Sequence, residues 1–194
     1  MWFVRRPGEE RVQTFRLEQA RLPYSYPGVG GSRTSIAPPG YTVDRHRVRL
    51  GSGPAVFDAA CAALRGWRHF PPAWTAIHPA TTPLEGGRTV ALLVRAFGLW
   101  WLNSARVVYA LDEATPVRRF GFAYGTLPGH AERGEERFSV EHHGDDSVWY
   151  ELWAFSRPGY WVARLAYPLT QWTQERFAQD SMAAMREACR EAAG

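Results

Sequence analysis

Between residues 74 and 156 the chain is a succession of six apolar or alternating runs: Trp74–His78, Arg88–Phe97, Leu99–Leu111, Arg118–Leu127, Glu135–His143 and Ser147–Phe155. Each has the length and the aromatic and β-branched content of a strand. Turn signals separate them: Pro83 with Gly86-Gly87, Gly98, the stretch Asp112–Pro116, Pro128-Gly129 with Gly134, and Gly144-Asp145-Asp146. A parallel pair needs a crossover of roughly a dozen residues or more, and none of these connections supplies one. The six strands must form an antiparallel meander.

The flanks complete the pattern. From Tyr41 to Leu50 residues alternate, with His46, Val48 and Leu50 on one face and Arg45, Arg47 and Arg49 on the other, which predicts a seventh, half-buried strand. Ser52-Gly53-Pro54 then offers a capping hydroxyl and a proline for a first helical turn. Val56, Phe57, Ala60, Cys61 and Leu64 continue at helical spacing to a stop near Gly66, and Pro71-Pro72 marks a bend. Beyond Pro158 the tail reads as helix, with Pro168 starting or kinking its main segment. Ala178, Met182, Met185 and Cys189, joined by Phe177 and Ala188, give it one broad apolar face. Strand, helix, six strands and long helix predict an α+β, helix-grip fold: a seven-stranded curved antiparallel sheet gripping a long C-terminal helix. The gap between helix and sheet is a natural ligand cavity.

Residues 1–40 read as an irregular basic N-terminal arm, and residues 41–194 as the helix-grip domain. Pro7, Pro23, Pro27, Pro38 and Pro39 interrupt the arm, leaving room for one short helix between Arg11 and Arg21. The run Gly28-Val29-Gly30-Gly31-Ser32-Arg33 has the look of a phosphate loop. Arg33 stands where the third glycine of a dinucleotide fingerprint belongs and no apolar strand precedes it, so the run reads as a turn.

Composition narrows the function classes. All 23 basic residues are Arg, which excludes lysine Schiff-base chemistry. Residues 1–50 carry a net charge of +5 and the remainder −1, so the positive excess belongs to the arm and the first strand. The Arg residues are spaced out and match no nucleic-acid motif, so no nucleic-acid partner is expected. No run approaches the roughly 18 apolar residues of a membrane span, and no export leader is expected. Cys61 and Cys189 are expected as free buried thiols in a reducing compartment, the cytoplasm. Neither a metal nor a cofactor is expected, and nothing in the pattern sets an oligomeric state. Aromatic residues reach 14% of the chain, nine of them Trp, which points to a core or pocket rich in flat side chains.

Several stretches resemble a known family: Leu50-Gly51-Ser52-Gly53 with Phe57 and Trp67 downstream, Phe122-Ala123-Tyr124-Gly125-Thr126-Leu127-Pro128-Gly129-His130, Gly134-Glu135-Glu136-Arg137-Phe138, and Ser156-Arg157-Pro158. Together they are similar to the "domain of unknown function nineteen-ninety" family over roughly residues 22–192. The resemblance implies a place in the START and Bet v 1-like superfamily, whose members mostly bind apolar ligands and in a minority act as cyclases, aromatases or hydrolases. It brings no mechanism, so no catalytic residue is carried over.

Candidate site residues follow from the pattern. Phe120, Phe122, Tyr124 and Thr126 share one strand face, as do Glu136, Phe138 and Val140 on the next, and these faces are expected to be concave. Arg95 and Glu151 sit inside aromatic runs, where a lone buried charge is costly. They could pair with each other or with Arg106 and give an apolar pocket its polar anchor, or face outward. The expected ligand-contacting set is Arg95, Tyr109, Phe122, Tyr124, Glu136, Phe138, Glu151 and Met185. His130, with Glu132, Glu135 and Glu136 nearby, could move protons or simply tie down its loop. Adjacent His142 and His143 face opposite sides of a strand and read as surface residues.

Three functions stand on this reading. The first is non-catalytic binding of a small hydrophobic or aromatic molecule between sheet and helix. The alternative is a cyclase- or hydrolase-like enzyme using a Glu/His acid–base in the same cavity. The third is an interaction module gripping a partner with its basic arm.

Overall fold

The structure is a computed structural model that describes residues 1–159 and 167–191. Its elements in chain order are β1 (Trp2–Phe3), α1 (Glu9–Gln19), a 3-10 turn (Gly31–Thr34), β2 (Thr42–Ser52), α2 (Pro54–Arg65), β3 (Thr75–His78), β4 (Thr89–Ala96), β5 (Leu99–Glu113), β6 (Arg118–Thr126), β7 (Glu132–His142), β8 (Ser147–Pro158) and α3 (Tyr167–Glu191).

The main sheet runs β2-β8-β7-β6-β5-β4-β3, antiparallel throughout. The expected seven-stranded sheet and C-terminal helix are therefore present. An eighth strand, β1, pairs with β5 through Trp2↔Trp101 and Phe3↔Trp100. It fits there because β6 pairs only with the part of β5 beyond Ala105, leaving the beginning of β5 an open edge. β8 runs to Pro158, so the strand outlasts the point at which the sequence reads as helix. Pro168 lies in the first turn of α3, and residues 160–166 of the expected helical tail lie outside the described residues.

The topology explains the grip. β2 and β3 are the two outer strands of the main sheet, and α2 carries the chain from one to the other. Its apolar stripe, Phe57, Ala60, Cys61 and Leu64, packs with Met185, Ala188 and Cys189 of α3 onto Phe122, Phe138, Val140, Tyr150 and Leu152 of the sheet. Trp67, Phe70 and the wholly buried His69 complete this cluster just after α2. Register shifts at Arg49/Gly51 and Val107/Tyr109 are bulges in the long strands β2 and β5, the kind of irregularity that bends a sheet.

The opposite, convex face is covered by the N-terminal segment. Residues 1–40 hold the short helix for which their sequence leaves room, α1, which begins two residues before Arg11, together with β1 and the 3-10 turn where irregular chain was expected, and they supply core residues. Val12 and Phe15 of α1 pack on Ala91, Leu93 and Leu102, while Tyr26 packs with Trp153 and Phe155. Proline and glycine content signalled broken elements, but burial of a few large side chains is enough to fix such a chain in place. The glycine-rich run that resembles a phosphate loop does close around an anion, and that anion is the protein's own. The Gly30 and Ser32 N–H groups donate to the Glu135 carboxylate at 2.7 and 2.9 Å, the Tyr26 hydroxyl at 2.6 Å, and the Ser32 hydroxyl completes the set. Gly30, at φ +90°, supplies the left-handed backbone that turns the Gly30 and Ser32 N–H groups toward one point, while the Gly31 N–H between them donates to the Gly28 carbonyl.

Candidate functional site

The cavity arises where the concave face changes residue size. Along β6, β7 and β8 the cross-strand row of Phe122, Phe138 and Leu152 fills the space beneath the helices. One step toward the other end, the row reads Asp44, Ala154, Glu136 and Tyr124 across β2, β8, β7 and β6. The next step brings Thr42, Ser156 and Gly134, with Thr126 nearby on β6. Small side chains at Ala154 and Ser156 line a hollow between sheet and α3, part of a pocket of about 1220 Å³ that extends as far as Phe15 and Gln19 of α1. Phe70, Trp74 and Phe177 wall one side, with Phe70 and Phe177 ring centres 5.1 Å apart. Leu92, Val94 and Trp101 from β4 and β5 line the far end. Trp2 and the β4–β5 hairpin tip reach the same hollow. That tip is the two-residue turn Phe97-Gly98, with φ +52° and +76°, so Gly98 relieves one strained position while Phe97 holds the other.

The polar groups cluster at the opposite end. The Tyr124 hydroxyl donates to Glu136 Oε2 at 2.5 Å. Gln174 of α3 donates to Glu132 Oε1 at 2.7 Å and to the Ser156 hydroxyl at 3.0 Å, tying the helix to the sheet. Burial pushes the Glu136 carboxyl up to about 8, against the lowering effect of the Tyr124 hydrogen bond and with help from Glu132 and Asp44. Burial raises Glu132 to about 7 for the same reason, with Gln174 acting in the opposite direction. His130 is pushed down to about 4 by burial, and its Nδ1 accepts the Glu132 N–H at 3.0 Å. At the rim, His46 lies 3.8 Å from the Glu175 carboxylate. Among the described residues no group of three or more His, Cys, Asp or Glu side chains is placed to hold a metal ion.

Of the eight candidate residues, Tyr124 and Glu136 line the hollow. Phe122, Phe138 and Met185 are concave or helix-facing as expected but sit deeper, fully buried in the packed core. The other three face elsewhere. Glu151 alternates with Tyr150 and Leu152, so it falls on the convex face, where it accepts from Arg45 at 2.7 Å and Arg137 at 2.6 Å instead of meeting Arg95 or Arg106. Arg95 alternates with Val94 and is exposed beside a smaller surface cleft bounded by Trp74 and Trp172. Tyr109 turns outward because Val108 is the extra residue of the β5 bulge, and its hydroxyl lies 2.6 Å from that of Ser32. Arg106 instead caps the end of α1, donating to the Ala20 and Leu22 carbonyls at 2.9 and 2.8 Å. His142 stacks on Phe57 and meets Asp146, whereas His143 meets Glu141 and Arg47, so the two imidazoles do not share a site.

Sequence reasoning missed Asp44, Asn103 and Gln174. The signal for Asp44 was present, since it shares the strand face of His46 and Val48. Asn103 likewise alternates onto the face of Trp101 and Ala105. Gln174 carried no signal beyond a position on the final helix.

Comparison with known proteins gives relatives over nearly the whole chain. A UPF0548 protein of Deinococcus radiodurans is 41% identical over 191 residues, covering 92% of this chain and 94% of its own length. UPF0548 proteins of Dictyostelium discoideum and Arabidopsis thaliana are 32% and 34% identical, over 97% and 93% of this chain and 95% and 93% of theirs. Two solved structures are similar at low identity. One is the hypothetical protein jhp0584 of Helicobacter pylori, at TM-score 0.49 and 14% identity, covering 77% of this chain and 89% of that one. The other is Ara h 8.0201, at TM-score 0.48 and 12% identity, covering 78% and 99%. Residues 25–184 match the family described as a domain of unknown function, DUF1990, and the chain belongs to that family.

Proposed function

We propose that the hollow between sheet and α3 binds a small hydrophobic or aromatic molecule without transforming it. The observation that carries this reading is the cavity itself: about 1220 Å³, larger than most small-molecule sites, kept open by small residues in a fold otherwise packed with large rings. Apolar walls supply affinity, and the Tyr124–Glu136 pair supplies an orienting polar contact. The two buried free thiols are consistent with a cytoplasmic setting. No helix among the described residues is long and apolar enough to cross a membrane. Arg33 of the N-terminal segment pairs with Glu113, and Arg45 and Arg47 of β2 pair with Glu151 and Glu141, so these three cations are engaged within the chain's own fold.

Titration with the neutral dye N-phenyl-1-naphthylamine tests the proposal. Saturable binding at one site is expected, and Ala154→Trp, which fills the middle of the hollow, should abolish it while the folded state persists. Dye binding that survives Ala154→Trp, or no binding by the native chain, would overturn it.

One observation favours the enzymatic alternative: a Glu136 carboxyl that holds its proton near neutral pH, hydrogen-bonded by Tyr124 and facing a cavity, has the attributes of a general acid. His130 turns its Nδ1 to its own loop, and no hydrogen bond joins its ring to Glu136 among the described residues.

A further inference from the structure

The smaller cleft between the β4–β5 hairpin and α3 has a construction of its own. It holds about 350 Å³, and three separate parts of the chain wall it: Arg95 and Phe97 from the hairpin, Trp172 and Arg176 one turn apart on α3, and Trp74 from the segment before β3. Ala96 and Gly98 add little bulk between them, which leaves the space open. Trp74 is buried and anchored, its indole N–H donating to Asp180 Oδ2 at 2.8 Å. Phe97 and Trp172 are instead 53% and 55% exposed, with ring centres 5.9 Å apart. Phe97 also holds a left-handed backbone, φ +52°, in a turn position that asparagine or glycine fills at less cost. A large ring kept in water on a strained residue contributes little to the fold, and a cleft edge is where such a ring can meet a ligand.

Charge gives a second, independent sign. No carboxylate lines the cleft, whereas two guanidinium groups do. Arg176 lies 4.7 Å over the Trp74 ring and 5.6 Å over the Trp172 ring, and its Nε is 3.5 Å from Asp180 Oδ2, the oxygen that also accepts from Trp74. The Arg95 guanidinium has no ion-pair or hydrogen-bond partner among the described residues, unlike Arg33, Arg45, Arg47 and Arg119, which all meet carboxylates. Two cations against one nearby carboxylate leave an excess of one positive charge beside three aromatic rings.

We propose that this cleft is a second binding site, distinct from the hollow, and that it takes a small aromatic carboxylate: the ring lies against Phe97, Trp172 and Trp74, and the carboxylate pairs with Arg95, with Arg176 beside it. The planar guanidinium fork matches a carboxylate with two parallel N–H donors, and charge-assisted contacts of this kind are the strong ones. The volume suits a molecule of one or two fused rings. An aromatic amine meets the same rings but is repelled by both guanidinium groups, and a neutral aromatic gains the ring contacts alone. The site stands apart from the reading of the hollow and does not depend on it.

Three probes sharing one body test it: 1-naphthoate, the neutral 1-naphthamide and 1-naphthylmethylamine, titrated at neutral pH against the full chain and against Ala154→Trp, whose hollow is filled. Binding is followed by nuclear magnetic resonance at the Gly98 amide and the Trp172 indole N–H, which report on the cleft in either chain. The carboxylate should move both signals and bind about tenfold more tightly than the amide, and the amine more weakly than either. Arg95 is exposed, so Arg95→Gln should leave the fold intact while bringing the carboxylate-to-amide affinity ratio toward one. Phe97→Asn suits the turn better, and it should melt no lower than the native chain yet weaken binding of carboxylate and amide alike. Equal affinity for carboxylate and amide, a ratio untouched by Arg95→Gln, or silence at Gly98 and Trp172 would overturn the site. Naphthoate binding that disappears in Ala154→Trp would likewise overturn it, and would return the ligand to the hollow.

Discussion

Glu136 shows how a single side chain can tie site chemistry to folding. Its carboxyl titrates at about 8 in the folded chain against 4.5 for the free group, because burial disfavours its charge. The folded state therefore holds more protons than the unfolded state between those values, and stability must fall as pH rises through that window. Glu132, raised to about 7, acts in the same direction. His69 and His130 act oppositely. Burial lowers them to about 3 and about 4, so their contribution is complete above 6.5 and is lost as pH falls toward those values. The prediction concerns the alkaline limb. Between pH 6.5 and pH 8, above the range in which the two histidines act, the urea midpoint of the native chain should drop, and Glu136→Gln should shrink that drop while leaving the acid limb in place. An unaltered pH slope in the variant would show that Glu136 ionises freely in the folded state. Alternation placed Glu136 on the concave face correctly, but nothing in a sequence records that its neighbours would be Ala154 and Gly134 rather than solvent.

At the scale of elements, the chain divides into parts whose placement its pattern disclosed and parts fixed by contacts remote in sequence. The strands, α2 and the amphipathic face of α3 follow from period and turn chemistry, and alternation also carries enough information to put Glu151 and Arg95 outside. Tyr109 was different: a bulge at Val107/Tyr109 reverses the parity of everything after it, and no local signal marks it. The N-terminal segment was the least legible, because its docking depends on Glu135, more than a hundred residues downstream. That dependence can be measured. Glu135→Gln keeps the shape but removes the charge that four donors converge on, so it should destabilise the chain by about 2–4 kcal/mol in denaturant unfolding. Amide exchange should quicken at Gly30 and Ser32, whose N–H groups lose their acceptor, before it quickens in β6 or β7. Uniform acceleration throughout the sheet would instead make Glu135 part of the global core rather than a latch for the arm.

For the whole molecule, the question is whether the hollow is thermodynamically part of the fold. A sheet of this curvature could have been filled: Phe122, Phe138, Phe70 and Trp67 show that the same concave face accepts dense aromatic packing one row away. Leaving Ala154 and Ser156 small in the next two rows gives up the burial that larger side chains would provide, so the empty chain lacks stabilisation that an occupant can restore. Any molecule that enters the folded chain and not the unfolded one must raise the melting temperature by mass action. At a free concentration one hundred times its dissociation constant, 1-naphthylmethanol should add about 2.7 kcal/mol. For a chain of this length that corresponds to a rise of about 5–10 °C in differential scanning calorimetry. Ala154→Trp should melt at or above the native temperature without ligand, because it fills the space permanently, and should show no further rise when the ligand is added. A variant that still shifts with ligand would place the binding elsewhere, with the exposed Phe97 and Trp172 beside the smaller cleft as the first surface to test.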